Sequence, residues 1–326
     1  MKSVSILVPE SSVLQAIADP QYLFSVVNEF MVVNGKKPLF DVQLVGLTKE
    51  IKLNGGLFSV NPSQLLKDVK KTDLVIIPAL FGSMKNAIAQ NQKLLPWIND
   101  QYNKGAEVAS LCVGAFLLAS TGLLNGKKCS THWGFQNEFR EMFPDVEVID
   151  GSIVTEEHRI YSSGGANSYW NLLLYLVEKY TDRQTAILAS KYFAIDIDRE
   201  SQSAFSMFQG QKNHNDEAIK QSQEFIEKNI RERITIDELA DLALLGRRSF
   251  ERRFKVATNN SVLEYINRVK IETAKRSFET SRKNINEVMY DVGYSDTKAF
   301  RTIFKKITGL TPIEYRNKYN KMSFAN

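Results

Sequence analysis

The chain has 326 residues, 43% of them hydrophobic and 24% charged, with a formal net charge of +5. That length accommodates two globular domains, each with its own core. No run of about 18 apolar residues is present, and the opening MKSVSILVPE leads into a polar helix with no signal-peptide cleavage site, so a cytoplasmic protein without a membrane partner is expected. The two cysteines, Cys112 and Cys129, stand apart from histidines and exclude a disulfide framework or a zinc site. No metal or cofactor is expected.

Short apolar runs then alternate with helical patterns: Val4–Val8, the amphipathic Ser12–Val33, Val42–Leu47, Leu74–Pro78, Val108–Leu111 and Ala115–Leu124. Strands separated by helices predict an α/β domain with a mainly parallel sheet and helices on both faces. Ile153–Thr155 and Arg159–Ser162 read as a hairpin around Glu156–His158, followed by a helix over Ser168–Lys179. The polar stretch Gln209–Asp216 marks a boundary, which gives a domain over 1–192, a linker over 193–216 and a second domain over 217–326. Charge divides there too. Residues 1–215 hold 20 Lys and Arg against 21 Asp and Glu, whereas residues 216–326 hold 22 against 16, the balance a polyanion-binding module needs.

The second domain is all-helical and repeats itself at a spacing of 49 to 50 residues. Ile236, Glu238 and Leu239 recur as Ile285, Glu287 and Val288. Phe250, Phe254, Lys255, Thr258, Ser261, Glu264 and Tyr265 recur as Phe300, Phe304, Lys305, Thr308, Thr311, Glu314 and Tyr315. Each copy reads as a short helix, a turn with Gly246 or Gly293, and a second helix, the arrangement that sets a helix in a DNA major groove. The phenylalanines, spaced i,i+4, form the buried face. The opposite face offers Arg247, Arg248, Glu251, Arg252 and Lys255 in the first copy, and Thr297, Lys298, Arg301, Thr302 and Lys305 in the second. Arg and Lys neutralise phosphates and Arg also reads guanine, while Thr and Glu address base edges.

From about Asn229 to Tyr319 the chain resembles the double helix-turn-helix domain of AraC/XylS-type transcriptional regulators, the second unit reading NINEVMYDVGYSDTKAFRTIFKKITGLTPIEYR. The resemblance implies two recognition helices joined by a helix from about Val262 to Glu279, placed in successive major grooves of double-stranded DNA. It departs from the family pattern at Gly246, Asn259, Val262 and Thr302, positions that bear on the sequence preference of each unit.

In the first domain, Ala109–Phe116 has the layout of a nucleophile elbow: a strand end, Cys112, then small residues entering a helix whose N-terminus stabilises a thiolate. A cysteine in an apolar strand is also an ordinary small core residue. SLCVGAFLLASTGLLNGKKCSTHW (Ser110–Trp133), Ala18-Asp19-Pro20 and Ser162-Ser163-Gly164-Gly165 resemble the class I glutamine amidotransferase-like (PfpI/ThiJ) superfamily, and more closely the GlxA-type regulators that join such a domain to an AraC-type one. Active hydrolases of that superfamily place a histidine directly after the cysteine and a carboxylate near the first strand. Here Val113 and Ala16 stand at those positions, with Glu10 as a substitute acid. His132 is the remaining candidate general base and is equally suited to capping the Thr131-His132-Trp133 segment.

The preferred expectation is a ligand-responsive transcription factor, not an enzyme. Its effector pocket is walled by the Cys112/Val113 turn, the loop Ala79–Ser83 with Gly82 permitting close backbone approach, His132, and the loop Ser163–Ala166 with Gly164 and Gly165. Homodimerisation through the first domain and, for an activator, contact with RNA polymerase complete the expected partners. The alternatives are a cysteine-dependent hydrolase or amidase carrying a DNA-binding domain, with Cys112 and His132 catalytic, and a redox sensor acting through Cys112.

Overall fold

The structure, a computed structural model, describes residues 1–197, 201–212 and 214–320 and divides into compact units Met1–Gln202 and Ser203–Asn326. The strands are β1 (Lys2–Leu7), β2 (Phe40–Gly46), β3 (Ile51–Leu53), β4 (Phe58–Val60), β5 (Gln64–Leu65), β6 (Leu74–Ile77), β7 (Glu107–Ser110), β8 (Lys128–Cys129), β9 (Glu147–Val148), β10 (Val154–Glu157) and β11 (Ile160–Ser163). The helices of the first unit are α1 (Gln15–Val33), α2 (Met84–Gln90), α3 (Leu95–Asn103), α4 (Ala115–Ala119), α5 (Gln136–Met142), α6 (Tyr169–Tyr180) and α7 (Arg183–Tyr192).

Seven strands form one sheet in the order β10-β11-β7-β6-β1-β2-β5. Its pairings are parallel except β10 with β11, the expected hairpin. Successive residues of β6 face opposite sides, yet Leu74, Val75, Ile76 and Ile77 are all fully buried, so both faces of the sheet are covered. That is why this strand reads as a continuous apolar run. The helix expected to reach Leu124 ends at Ala119. The Ser120 and Thr121 hydroxyls donate to the Phe116 and Leu118 carbonyls, and Gly122 turns the chain at φ 80°.

The second unit is helical, with α8 (Glu217–Lys228), α9 (Ile236–Leu242), α10 (Arg247–Thr258), α11 (Val262–Thr280), α12 (Ile285–Asp291), α13 (Thr297–Thr308) and α14 (Pro312–Tyr319). It holds two separate cores, one around Phe250, Phe254 and Tyr265, the other around Phe300, Phe304 and Tyr315. The repeated residues build this frame. Thr235 with Glu238, Asn284 with Glu287, and Thr311 with Glu314 form reciprocal capping boxes, and Ser261 caps α11 through the Glu264 amide. The Thr258 and Thr308 hydroxyls each donate to the carbonyl four residues back at 2.8 Å. The Tyr315 hydroxyl donates to Glu279 at 2.5 Å, and the Tyr265 hydroxyl lies 3.0 Å from the Gln223 amide.

The turn of the first copy differs from expectation. Gly246 is the N-cap of α10, with ordinary extended backbone and no side-chain cap. The left-handed position that Gly293 fills in the second copy (φ 73°) is held in the first by Leu244 (φ 53°), whose side chain is 91% exposed. The unit boundary falls within the segment expected as a linker. Gln202 is buried in the first unit, whereas Phe208 packs on Tyr265 and Gln211 bonds Asn260 and Gln223 in the second. Residues 198–200 and 213 of that segment, and 321–326 of the expected second domain, lie outside the described residues.

Candidate nucleic-acid interface and N-terminal site

Helices α10 and α13 bury equivalent faces: Phe250, Phe254, Phe300 and Phe304 are fully buried, each pair with ring centroids 5.6 to 5.7 Å apart. Truncating such a side chain costs about 3–5 kcal/mol, so this packing decides which way the opposite face points. That face is outward: Arg247, Arg248, Arg252, Lys255, Lys298, Arg301, Thr302 and Lys305 are exposed, and Glu251 and Thr297 are half-buried. The ten residues are not equally available. Arg247 bonds the Asp237 carboxylate at 3.1 Å and lies 3.7 Å from Glu251, and the Lys255 ammonium donates to the Asn259 carbonyl. Among the described residues Arg248, Arg252, Lys298 and Arg301 form no ion pair. Arg253 is different again. Two of its nitrogens donate to Asp216 at 2.9 and 2.7 Å, fastening α10 to the N-cap of α8 and holding the Asp216 carboxyl below its ordinary range.

In the first unit, the loops at the C-terminal ends of the parallel strands are stitched together. The Val13 amide donates to the Ala79 carbonyl, Phe81 to Ser11, and Leu111 to Ile77. Cys112 follows β7 with φ 54°, the left-handed conformation of a sharp strand-to-helix turn. Its amide donates to the Ser163 hydroxyl at 3.0 Å, and its carbonyl accepts from Thr131 at 3.2 Å. The glycine that permits close approach is Gly114, where a Cβ would lie 2.6 Å from the Pro78 carbonyl oxygen and 2.7 Å from that of Ile77. Around Gly82 the space is open, and its φ of 86° is what requires glycine there.

Elbow geometry is thus present, but burial outweighs the stabilisation that the Val113 amide gives the thiolate. Cys112 is 5% exposed, and burial pushes its thiol up to about 12. Cys129 is fully buried and is likewise pushed up to about 12. The His132 Nδ1 accepts from the Gly134 amide at 3.0 Å, and burial depresses its pKa, so the ring is a neutral helix cap with its proton on Nε2. Glu10 has an exposed side chain, its backbone held by buried Asn91, and Ala16 is fully buried. Among the described residues no three His, Cys, Asp or Glu side chains are grouped to hold a metal ion.

Of the pocket residues expected from sequence, Cys112, Val113, Gly164, Gly165 and His132 come together, the first four buried. A Cβ on Gly165 would lie 3.5 Å from the His132 ring and 3.6 Å from that of Trp133. Gly82 sits on the neighbouring β6–α2 loop. Two groups escaped the sequence reading. Tyr169, 5% exposed, donates to Asp19 at 2.5 Å; burial, then Asp19 and Cys112, push its phenol well above the usual range. Gln202, 1% exposed, donates to the Thr131 and Ser152 carbonyls at 2.9 and 3.1 Å and accepts from the Gly165 amide at 2.7 Å. Nothing in a polar run signals a plugged glutamine. A Cβ on Gly164 would lie 2.4 Å from its amide nitrogen, which explains that glycine.

Comparison with known proteins agrees with this architecture. The DJ-1/PfpI family matches residues 25–179, and a helix-turn-helix domain family matches residues 239–318. The HTH-type transcriptional regulator ArgR of Pseudomonas aeruginosa is 27% identical over 214 residues, 65% of this chain and 65% of ArgR. The HTH-type transcriptional regulator GlxA of Rhizobium meliloti is 23% identical over 223 residues, 66% of each chain. The chain therefore spans about two thirds of the length of these curated relatives. A crystal structure of a transcriptional regulator protein from Vibrio parahaemolyticus superposes with a TM-score of 0.53 at 23% identity, over 59% of this chain and 98% of that one. In class the chain resembles helix-turn-helix transcriptional regulators. It joins a DJ-1/PfpI-type domain to a C-terminal AraC-type helix-turn-helix domain, and the regulators named GlxA and ArgR are among the proteins it resembles.

Proposed function

We propose that the chain is a cytoplasmic, non-enzymatic transcriptional regulator that binds two half-sites of duplex DNA through α10 and α13 and is controlled by a small effector at the first unit. The observation that carries this reading is the pair of equivalent helices, each burying two phenylalanines on a shared frame and presenting uncommitted cations. Arg248, Arg252, Lys298 and Arg301 neutralise phosphates or read guanine. Glu251, Thr297 and Thr302 address base edges, and Arg247, Lys255 and Lys305 add positive potential. The absence, among the described residues, of a helix long and apolar enough to cross a membrane is compatible with this setting.

The effector site is formed by Cys112, Val113, His132, Gly164 and Gly165, with Gly82 on the adjoining loop. Burial that keeps the thiol protonated, and an imidazole committed as a helix cap, favour binding over hydrolysis there. Gln202, bonded to Gly165 and Thr131, is also the residue from which the chain runs into the second unit, so displacement of those loops by an effector acts on the connection to the DNA-binding domain. A homodimer doubles the DNA contacts, and for an activator contact with RNA polymerase completes the partners.

The test is a pull-down of sheared genomic DNA by the full chain at two salt concentrations, repeated with Arg252→Ala/Arg301→Ala. A few promoter fragments should be retained, fading with salt and with the double variant. Each lost phosphate contact lowers the logarithmic salt slope by about 0.9. Retention that is indifferent to both would refute the reading.

A further inference from the structure

The two cores of the second unit share one helix, α11. Its first part, with Tyr265, Ile266 and Val269, belongs to the first core, and its later part, with Ile271, Ala274 and Phe278, to the second. The residue at the changeover is a lysine. Lys270 is 6% exposed, and its ammonium donates to the Glu232 carbonyl, between α8 and α9, and to the Gly293 carbonyl, in the α12–α13 turn, both at 3.3 Å. The backbones meet there as well: a Cβ on Gly293 would lie 2.6 and 2.7 Å from the Ile230 and Arg231 carbonyl oxygens. Arg231 pairs with Asp291 at 3.3 Å, and the Tyr294 hydroxyl donates to Asn267 at 2.9 Å. These polar contacts tie one helix-turn-helix unit to the other at the changeover between the two cores.

We infer that Lys270 is a positioning residue that sets the separation and rotation of α10 relative to α13, and with them the spacing between the two DNA half-sites the chain accepts. The inference rests on the reading of α10 and α13 as DNA-binding helices. A buried ammonium is costly to desolvate, and methionine of similar volume avoids that cost while leaving the two carbonyls without this donor. What the apolar residue lacks is direction: it cannot hold carbonyls of two subdomains at one distance. Lys270→Met therefore keeps the volume and removes the tie. A shift of one base pair moves a half-site by about 3.4 Å along the duplex, enough to break a base contact worth roughly tenfold or more in affinity.

The experiment selects half-sites with the wild-type full chain from random-sequence duplexes, then measures affinity for duplexes in which the half-site spacing is shortened or lengthened by one or two base pairs. Wild type should lose about tenfold for each one-base-pair change. Lys270→Met should lose threefold or less while binding an isolated half-site as wild type does, and Lys270→Arg should restore the preference. If Lys270→Met fails to fold, Tyr294→Phe, which removes only the bond to Asn267, carries the same expectation of a broadened preference. Spacing profiles of the folded variants that coincide with wild type would overturn the inference and leave DNA binding intact. Failure of the wild-type chain to select any duplex would instead remove the reading on which it rests.

Discussion

Alkylation of Cys112 separates a binding site from a catalytic one. Burial moves this thiol from an ordinary 9.0 to about 12. At pH 8 the thiolate fraction then falls from roughly one tenth to about one in ten thousand, so iodoacetamide should react about a thousandfold more slowly than with the unfolded chain. Peptide mass spectrometry of Cys112 and Cys129 against time, with a urea-unfolded control, measures this directly. Both cysteines should stay unmodified while the chain is folded, and the rate should rise with pH. The stability consequence has a definite sign. Both thiols are raised in the folded state, so the stabilisation from keeping them neutral is complete below pH 9. It is lost as pH rises towards about 12, by about 1.4 kcal/mol per pH unit for each thiol. Alkylation of Cys112 faster than in the unfolded control, with Cys129 untouched, would refute the reasoning and restore a cysteine hydrolase.

On the face proposed to bind DNA, Arg247→Ala should weaken DNA binding less than Arg252→Ala, because Arg247 must first leave Asp237 and Glu251; titration of a selected duplex at fixed salt decides it. The two turns should respond in opposite directions to substitution. Leu244→Gly removes a left-handed penalty of about 1–2 kcal/mol against a glycine entropy cost of about 0.5–1, and should raise the midpoint of the calorimetric transition that DNA shifts. Gly293→Ala adds that penalty and a clash with two backbone carbonyls, and should lower the same midpoint by more. In the first unit, Gln202→Ala leaves the Gly165 amide and the Thr131 and Ser152 carbonyls without their partner, at about 1–3 kcal/mol per orphaned group. Faster hydrogen exchange of the Gly165 amide should result; unchanged protection there would contradict it.

Much of this architecture could be read from local pattern. The alternation of apolar runs and helices predicted the mainly parallel sheet, because a strand covered on both faces, such as Leu74–Ile77, has no polar residue to spare. The repeat in the second domain predicted two equivalent helical units with their phenylalanines inside. Spacing alone put the cationic positions on the opposite face, since i,i+4 periodicity is a property of the chain and not of its surroundings. The repeated residues are mostly the frame, as caps, back-bonded threonines and buried tyrosines, while the exposed positions of α10 and α13 diverge apart from Lys255 and Lys305.

Only the tertiary structure decided what surrounds each group. An elbow motif promised an activated thiol, but burial of Cys112 outweighs the bond from the Val113 amide. The capping alternative for His132 took form once Gly134 turned back onto its ring. Leu244 occupies a left-handed turn that local preference assigns to glycine, and Gly246, a turn residue by composition, became a helix cap. Gln202 fell within the expected linker and Lys270 within the expected connecting helix. Both are buried because segments far apart in sequence close over them, and burial of a polar group by remote chain leaves no periodic trace.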